Sequence, residues 1–230
     1  QWAYDHHDAR DYGTKTLKKV LGESRFDFPK SLYAVKDCLK LFTSHKKNAL
    51  IVDFFAGSGT TMHAVNLLNT EDGGHRTCIM VTNNEISAEE EKAFRAKGIV
   101  KGSTEWEERG IAKYVTWPRT VCSINGVDVK GRTLKDEYFG SNIPMANGFQ
   151  ANVKYFRCDW TPRKPEDYLL SNALCLHIRE MIELQNAIEI DNVKNVLILN
   201  KADFKNIILN PDIYAQIENI WVNQNIVLNS

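Results

Sequence analysis

The 230-residue chain lacks several features that would assign its class at once. Its five cysteines, Cys38, Cys78, Cys122, Cys158 and Cys175, are odd in number and widely spaced. No Cys-x-x-Cys pair offers a zinc clip or a redox dithiol, so a reduced, cytoplasmic protein is expected. Charge excess is absent too: 29 basic residues face 29 acidic ones, without the surplus of a stand-alone nucleic-acid binder. No apolar run approaches the ~20 residues of a membrane span. The start, Gln1-Trp2-Ala3-Tyr4-Asp5-His6-His7, has neither the basic nor the apolar part of a secretory leader, and no membrane partner is expected. No initiator Met is present, which points to a fragment or a processed chain. Internal repeats are absent. Of the six prolines, Pro29, Pro118, Pro144, Pro162, Pro165 and Pro211, no two are adjacent.

What is present is a chain with 43% hydrophobic residues, enough for a real core. Leu32, Val35, Leu39 and Phe42 recur three and four apart after Ser31, which predicts an amphipathic helix capped by that serine. Leu50 to Phe55 predict a buried strand, Thr60 to Leu68 a helix, and Thr77 to Thr82 a second strand, with Glu71-Asp72-Gly73-Gly74 as the turn between. This is the βαβ order of a parallel sheet, whose ligands sit at the C-terminal ends of the strands. Ser87 with Glu90 predicts a capping box opening a helix to about Lys97. Glu105 to Ile124 reads as helix kinked or divided at Pro118. Five glycine and proline punctuations between Gly126 and Gly148 predict irregular or hairpin structure, and Ala151 to Cys158 a strand leading away from it. Beyond Pro162 and Pro165, the pattern gives a long helix Leu169 to Ile188, a strand Val196 to Leu199 and a helix Ile213 to Trp221.

The stretch Ala49-Leu50-Ile51-Val52-Asp53-Phe54-Phe55-Ala56-Gly57-Ser58-Gly59-Thr60-Thr61 carries the site hypothesis. Two glycines one residue apart let backbone approach a ligand, and the hydroxyls of Thr60 and Thr61 can satisfy amides at a helix start. A P-loop needs a lysine after its last glycine, and none follows Gly59. A dinucleotide fingerprint needs a third glycine where Met62 stands. Asp53 lies inside an apolar run and needs partners there.

The remaining pattern, Asp53-x-Phe55-x-Gly57-x-Gly59 within Phe54-Phe55-Ala56-Gly57-Ser58-Gly59-Thr60-Thr61, resembles S-adenosylmethionine-dependent DNA methyltransferases that modify exocyclic amino groups. It looks most like the adenine-N6 modification subunits of type III restriction systems. Further likeness lies in His63-Ala64-Val65, in the turn Asn69 to Gly74, in Thr77 to Thr82 and in Phe28-Pro29-Lys30-Ser31-Leu32. It covers about residues 13 to 130 well and the last hundred loosely. The resemblance implies an α/β fold, a partial Rossmann-like S-adenosylmethionine-dependent methyltransferase sheet with a small C-terminal αβ appendage. Residues 1–160 would be the cofactor-binding part and 161–230 the appendage.

It also implies an S-adenosyl-L-methionine site formed by Lys30, Asp53, Phe54, Phe55, Ala56, Gly57, Ser58, Gly59, Thr60 and Glu85. There Asp53 would accept from the ammonium, Glu85 would take two ribose hydroxyls, Phe55 would supply apolar wall and Ile86 would pack on adenine. Each also has a plainer role: Phe54 as strand core, Lys30 as a solvated lysine, Glu85 as a strand-end acid.

The family's Asp/Asn/Ser-Pro-Pro-aromatic loop, which accepts from the target amine and stacks on a flipped base, requires adjacent prolines. Without it no catalytic residue is assigned, and the chain is expected to be the C-terminal portion of a longer enzyme. That enzyme would meet double-stranded DNA, a restriction subunit and a second copy of itself. The alternative is a non-catalytic assembly module in which the tail from about Pro162 binds a partner. His6-His7 beside Asp5 and Asp8 reads as an exposed polar terminus rather than a metal site. Lys15, Lys18, Lys19, Arg25 and Lys30 read equally as a phosphate-facing cluster or a solvated face. Trp106, Trp117, Trp160 and Trp221 are dispersed and read as core or interface.

Overall fold

The computed structural model describes residues 4–158 and 172–223. The chain forms two compact units, residues 1–155 and 156–230.

The first unit opens with a 3-10 turn (Asp5–His7) and a π-helical turn (Arg10–Thr14) that lead into α1 (Lys15–Leu21), which buries Leu17, Val20 and Leu21. α2 (Leu32–Thr43) starts at Ser31, whose hydroxyl accepts from the Ala34 amide at 3.3 Å. Leu32 is buried, and Val35 and Leu39 pack against the core, but Phe42 is 69% exposed. The last turn buries Thr43 instead, because the Arg76 guanidinium donates to both its hydroxyl and its carbonyl.

β1 (Leu50–Asp53) pairs in parallel with β2 (Thr77–Met80), Leu50 opposite Thr77 and Asp53 opposite Met80. α3 (Thr60–Asp72) connects them and buries Ala64, Val65, Leu67 and Leu68. Each fully buried leucine there contributes about 1.5–3 kcal/mol relative to exposure. Both strands stop about two residues before the predicted ends. The Asp53 carboxylate accepts from the Phe55 amide at 3.1 Å and folds the chain into a turn.

α4 (Ala88–Ala96) is capped by Ser87, whose oxygen accepts from the Glu90 amide as the sequence predicts. The predicted helix from Glu105 to Ile124 is instead three pieces: α5 (Thr104–Arg109), a π-helical turn (Ala112–Thr116) and α6 (Trp117–Asn125). Pro118 has no amide hydrogen for the Tyr114 carbonyl, which accepts from Arg25 at 3.0 Å instead. The wide turn falls where that backbone bond is missing. Residues 126–150 are irregular with two isolated antiparallel bridges, Val127 to Thr133 and Glu137 to Pro144. Ala151 to Cys158 does not form the predicted strand.

In the second unit α7 (Asn172–Leu176) and α8 (Ile178–Asn186) are separated at His177, so the predicted single helix is broken. β3 (Asn195–Ile198), α9 (Lys201–Ile208), α10 (Pro211–Tyr214) and β4 (Asn219–Val222) follow. The predicted helix from Ile213 to Trp221 is therefore corrected: it ends at Tyr214, and Ile220, Trp221 and Val222 enter a strand parallel to β3. The β-branched and aromatic residues there suit a half-buried strand, and Asn219 donates to the Asn195 side chain at 2.9 Å. Trp160, Pro162, Pro165 and residues 169–171 lie outside the described residues, as does the predicted boundary at 160/161.

Candidate cofactor site

The loop between β1 and α3 is built around Asp53. One carboxylate oxygen accepts from the Phe55 amide; the other accepts from the Thr61 hydroxyl at 2.6 Å. The predicted amide-capping role of the threonines is replaced: Thr61 binds Asp53, and Thr60 Oγ1 meets Ser58 Oγ at 3.1 Å. Gly57 and Gly59 take φ values of +51° and +75°, a conformation that L side chains rarely adopt. A Cβ on Gly59 would lie 3.3 Å from Thr116 Cγ2, so this glycine faces the protein interior. A Cβ on Gly57 would lie 3.7 Å from the Phe55 carbonyl oxygen and 3.9 Å from the Phe26 ring.

The loop rests on α6 and the turn before it. Thr116 Oγ1 donates to the Gly57 carbonyl at 2.6 Å. Arg119, 0% exposed, donates from Nη1 to Thr60 Oγ1 (2.7 Å), Ser58 Oγ (3.1 Å) and the Ser58 carbonyl (3.3 Å). Burial pulls its guanidinium down to about 10, and no carboxylate is bonded to it among the described residues. Its Nε points at His63 Nδ1 at 3.4 Å, and His63 Nε2 meets the Tyr138 hydroxyl at 2.9 Å. Nδ1 must then be the unprotonated nitrogen, because arginine has no acceptor. Burial, with Arg119 second, holds His63 well below the ordinary histidine range. Neither Thr116 nor Arg119 was singled out from the sequence.

Predicted site residues divide between those the structure joins and those it does not. Asp53, Ser58 and Thr60 are tied into the loop, and Ala56 is buried beneath it. Phe54 is not strand core: it lies beyond β1 and is 67% exposed, with Phe55 90% exposed beside it. Lys30 is exposed, and no hydrogen bond among the described residues joins it to the loop. Its segment is held by Gly13, where a Cβ would lie 2.3 Å from the Pro29 carbonyl oxygen. Phe26 brings the same segment close to Gly57.

Glu85 sits five residues past β2 rather than at its end. Its backbone carbonyl accepts from the Ile111 amide at 2.8 Å. Asn84 fixes this stretch by donating to the Glu107 carbonyl (2.7 Å) and accepting from the Lys113 amide (3.2 Å). The Glu85 side chain is left exposed.

Of the basic cluster, Lys15, Lys19 and Arg25 pair with Asp11, Asp136 and Glu23, which weakens the phosphate-facing alternative. Burial, with the Asp53 charge, pushes the Cys78 thiol up to about 12, which disfavours the nucleophilic thiolate. No described helix is long and apolar enough to cross a membrane.

A family model described as DNA methylase matches residues 3–98, a span containing the whole loop and Glu85. The Mod subunit of the type III restriction-modification enzyme StyLTI from Salmonella typhimurium is 43% identical over 79 residues, 34% of this chain and 12% of that protein. The EcoPI Mod subunit of Escherichia phage P1, also of type III, is 40% identical over 88 residues, 36% of this chain and 13% of that protein. The type II methyltransferase M.KpnI of Klebsiella pneumoniae is 39% identical over 83 residues, 36% of this chain and 19% of that protein. The chain thus aligns with only 12% to 19% of the length of these relatives.

Proposed function

We propose, from a chain whose residues 3–98 match a family model described as DNA methylase, that this is the S-adenosyl-L-methionine-binding portion of a site-specific DNA adenine-N6 methyltransferase. In this reading the enzyme is a type III modification subunit, and its amine-accepting loop and DNA-recognition region belong to other parts of the whole protein. The observation that carries the reading is the Asp53 loop, a carboxylate at a parallel-strand end beside a glycine turn. Its inner face is pinned by Thr116 and Arg119, while Phe55 remains exposed.

The donor set fits the cofactor. Each Asp53 oxygen holds one donor and retains a lone pair for an ammonium group. Gly57 leaves space between the Phe55 carbonyl and the Phe26 ring. Phe55 offers an apolar wall, and the exposed Glu85 carboxylate is free to take two ribose hydroxyls in a charge-assisted contact. The segment Phe28-Pro29-Lys30 borders the methionine end. When bound, the cofactor supplies an electrophilic methyl group. This chain's residues hold and orient it, and double-stranded DNA is met by the whole protein. Leu50, Val52 and Val81 are exposed around the two-stranded sheet, which accords with further strands contributed from outside this chain.

Titration calorimetry with S-adenosylmethionine or its demethylated product, on this chain and on the whole protein, tests the proposal. Saturable binding that weakens in Asp53→Asn is expected; no binding by either folded protein would exclude it. A second role is favoured by the exposed apolar side chains of the second unit, Leu176, Leu184 and Leu209 among them: assembly with a restriction subunit or a second copy. Removing residues 165–230 should then abolish complex formation and leave cofactor binding intact.

A further inference from the structure

We propose that His6, His7 and Asp37 form a binding site for a zinc-class divalent transition metal, which ties the N-terminal segment to α2. The sequence reading paired the two histidines only with their neighbours Asp5 and Asp8 and left them exposed. The structure corrects this: both are partly buried against α2, and the carboxylate that meets them comes from thirty residues away. His6 Nε2 and His7 Nε2 each lie 2.9 Å from the same oxygen, Asp37 Oδ2. All three ligand atoms lie within 4.8 Å of one another.

A tetrahedral zinc with bonds of about 2.0–2.1 Å separates its ligand atoms by roughly 3.3 Å. Seating the ion therefore needs each imidazole to back away from the carboxylate by about 0.4 Å and the two histidine nitrogens, within 4.8 Å of each other, to take the same spacing by side-chain rotation. Two imidazoles and one carboxylate suit zinc and its first-row neighbours, whereas magnesium and calcium prefer all-oxygen sets. The fourth position is left for water.

The rings are held where a metal would need them. His6 stacks on Phe139 at 5.2 Å between centroids and on Tyr4 at 5.3 Å, and it meets His7 edge-on at 4.6 Å. Its backbone is fixed as well, because the Ser31 hydroxyl, at the cap of α2, donates to the His6 carbonyl at 2.8 Å. The side chains of His6, His7 and Asp37 are 23%, 12% and 29% exposed, sheltered but open to an entering ion. The site shares no residue with the Asp53 loop, so it stands or falls apart from the cofactor proposal. The competing account is a hydrogen-bonded clasp with no ion, in which one carboxylate oxygen accepts from both imidazoles.

The test uses the full 230-residue chain without a polyhistidine tag, stripped of metal, kept reduced and titrated with Zn2+ in competition with a chromophoric chelator. One bound Zn2+ is expected, with Mg2+ failing to compete. Asp37→Asn, His6→Gln and His7→Gln should each lower the affinity by about tenfold or more, while Cys38→Ser, beside the site, leaves it unchanged. Co2+ should give a visible ligand-field spectrum in the parent chain and lose it in Asp37→Asn. Circular dichroism checks the fold of each variant; His6→Gln preserves the Asp37–His7 contact should Asp37→Asn fold poorly. No Zn2+ uptake by the folded parent chain overturns the proposal in favour of the clasp. Uptake that survives all three ligand substitutions and disappears only when cysteines are replaced overturns it equally.

Discussion

Replacing Arg119 by methionine tests whether a buried cation holds the glycine loop. Three hydrogen bonds to the loop, to Thr60 Oγ1, Ser58 Oγ and the Ser58 carbonyl, would be lost, together with the longer one to His63 Nδ1. At about 1.5 kcal/mol for each loop bond, the low end for a charged donor because a single Nη1 serves all three acceptors, the loss is roughly 5 kcal/mol. Against it stands the cost of keeping the guanidinium charged in the interior. Its fall from an ordinary 12.5 to about 10 corresponds to ~3 kcal/mol, which the methionine recovers. Global stability should therefore drop by only about 2 kcal/mol, while the loop itself loses its anchors. Arg119→Lys is the sharper variant. Lysine keeps a charge in the same dry site without the planar fork that reaches several acceptors, so it should be less stable than the methionine variant. Urea unfolding at neutral pH followed by circular dichroism reads the order: parent, then Met, then Lys. Calorimetry with S-adenosylmethionine should show a tenfold or larger loss in both variants, equivalent to ~1.4 kcal/mol or more. A lysine variant as stable as the parent, or a methionine variant more stable than it, would refute the reasoning.

Asp53→Asn keeps the shape and one acceptor but removes the charge facing an ammonium; cofactor affinity should fall by about ten- to a hundredfold with the fold retained, as calorimetry and circular dichroism would show. Gly110→Ala places a Cβ 2.3 Å from the Asn84 side chain, although φ at Gly110 is an ordinary −64°. Displacing Asn84 should cost about 1–3 kcal/mol in thermal or urea unfolding, and binding should weaken with it if Glu85 holds the ribose. His63, held well below its usual value of 6.5, binds a proton in the unfolded chain before it does so in the folded one. Stability should thus be full above about pH 6.5 and decline below it, by up to ~1.4 kcal/mol per pH unit. His63→Gln should flatten that slope in urea titrations at pH 5 to 7.

The βαβ unit was legible because apolar runs, a glycine turn and a capped helix agree on one answer at each step. Leu50 to Asp53 and Thr77 to Met80 fall inside the predicted strands, whereas Thr60 to Asp72 starts where predicted but runs four residues beyond Leu68 and takes Glu71 and Asp72 out of the predicted turn. Where a single periodicity had to decide, tertiary context won. Within the stretch from Ile213 to Trp221, Ile220 and Trp221 can be read as a helix face or as β-formers, and only the position of β3 selects the strand for them, while Ile213 stays in α10. α9, opened by Asn200 accepting from the Ala202 and Asp203 amides, has no counterpart among the elements read from the sequence.

The deepest failure was also the most functional one. Thr116, Arg119, Thr120 and Ser123 recur three and four apart, and by the usual rule a polar stripe on a helix faces water. Here all four are buried. Loop oxygens and backbone carbonyls need donors, and a polar helix face can supply them where an apolar one cannot. The hydrophobic pattern thus predicts the opposite face of α6 from the one the site uses. A stripe of threonine, serine and arginine after a glycine turn of this type is better read as the floor of that turn. The same reasoning explains why Asp53 was found: an acid in an apolar run demands partners wherever it is met, whereas an arginine among hydroxyls demands them only once the fold has taken it out of water.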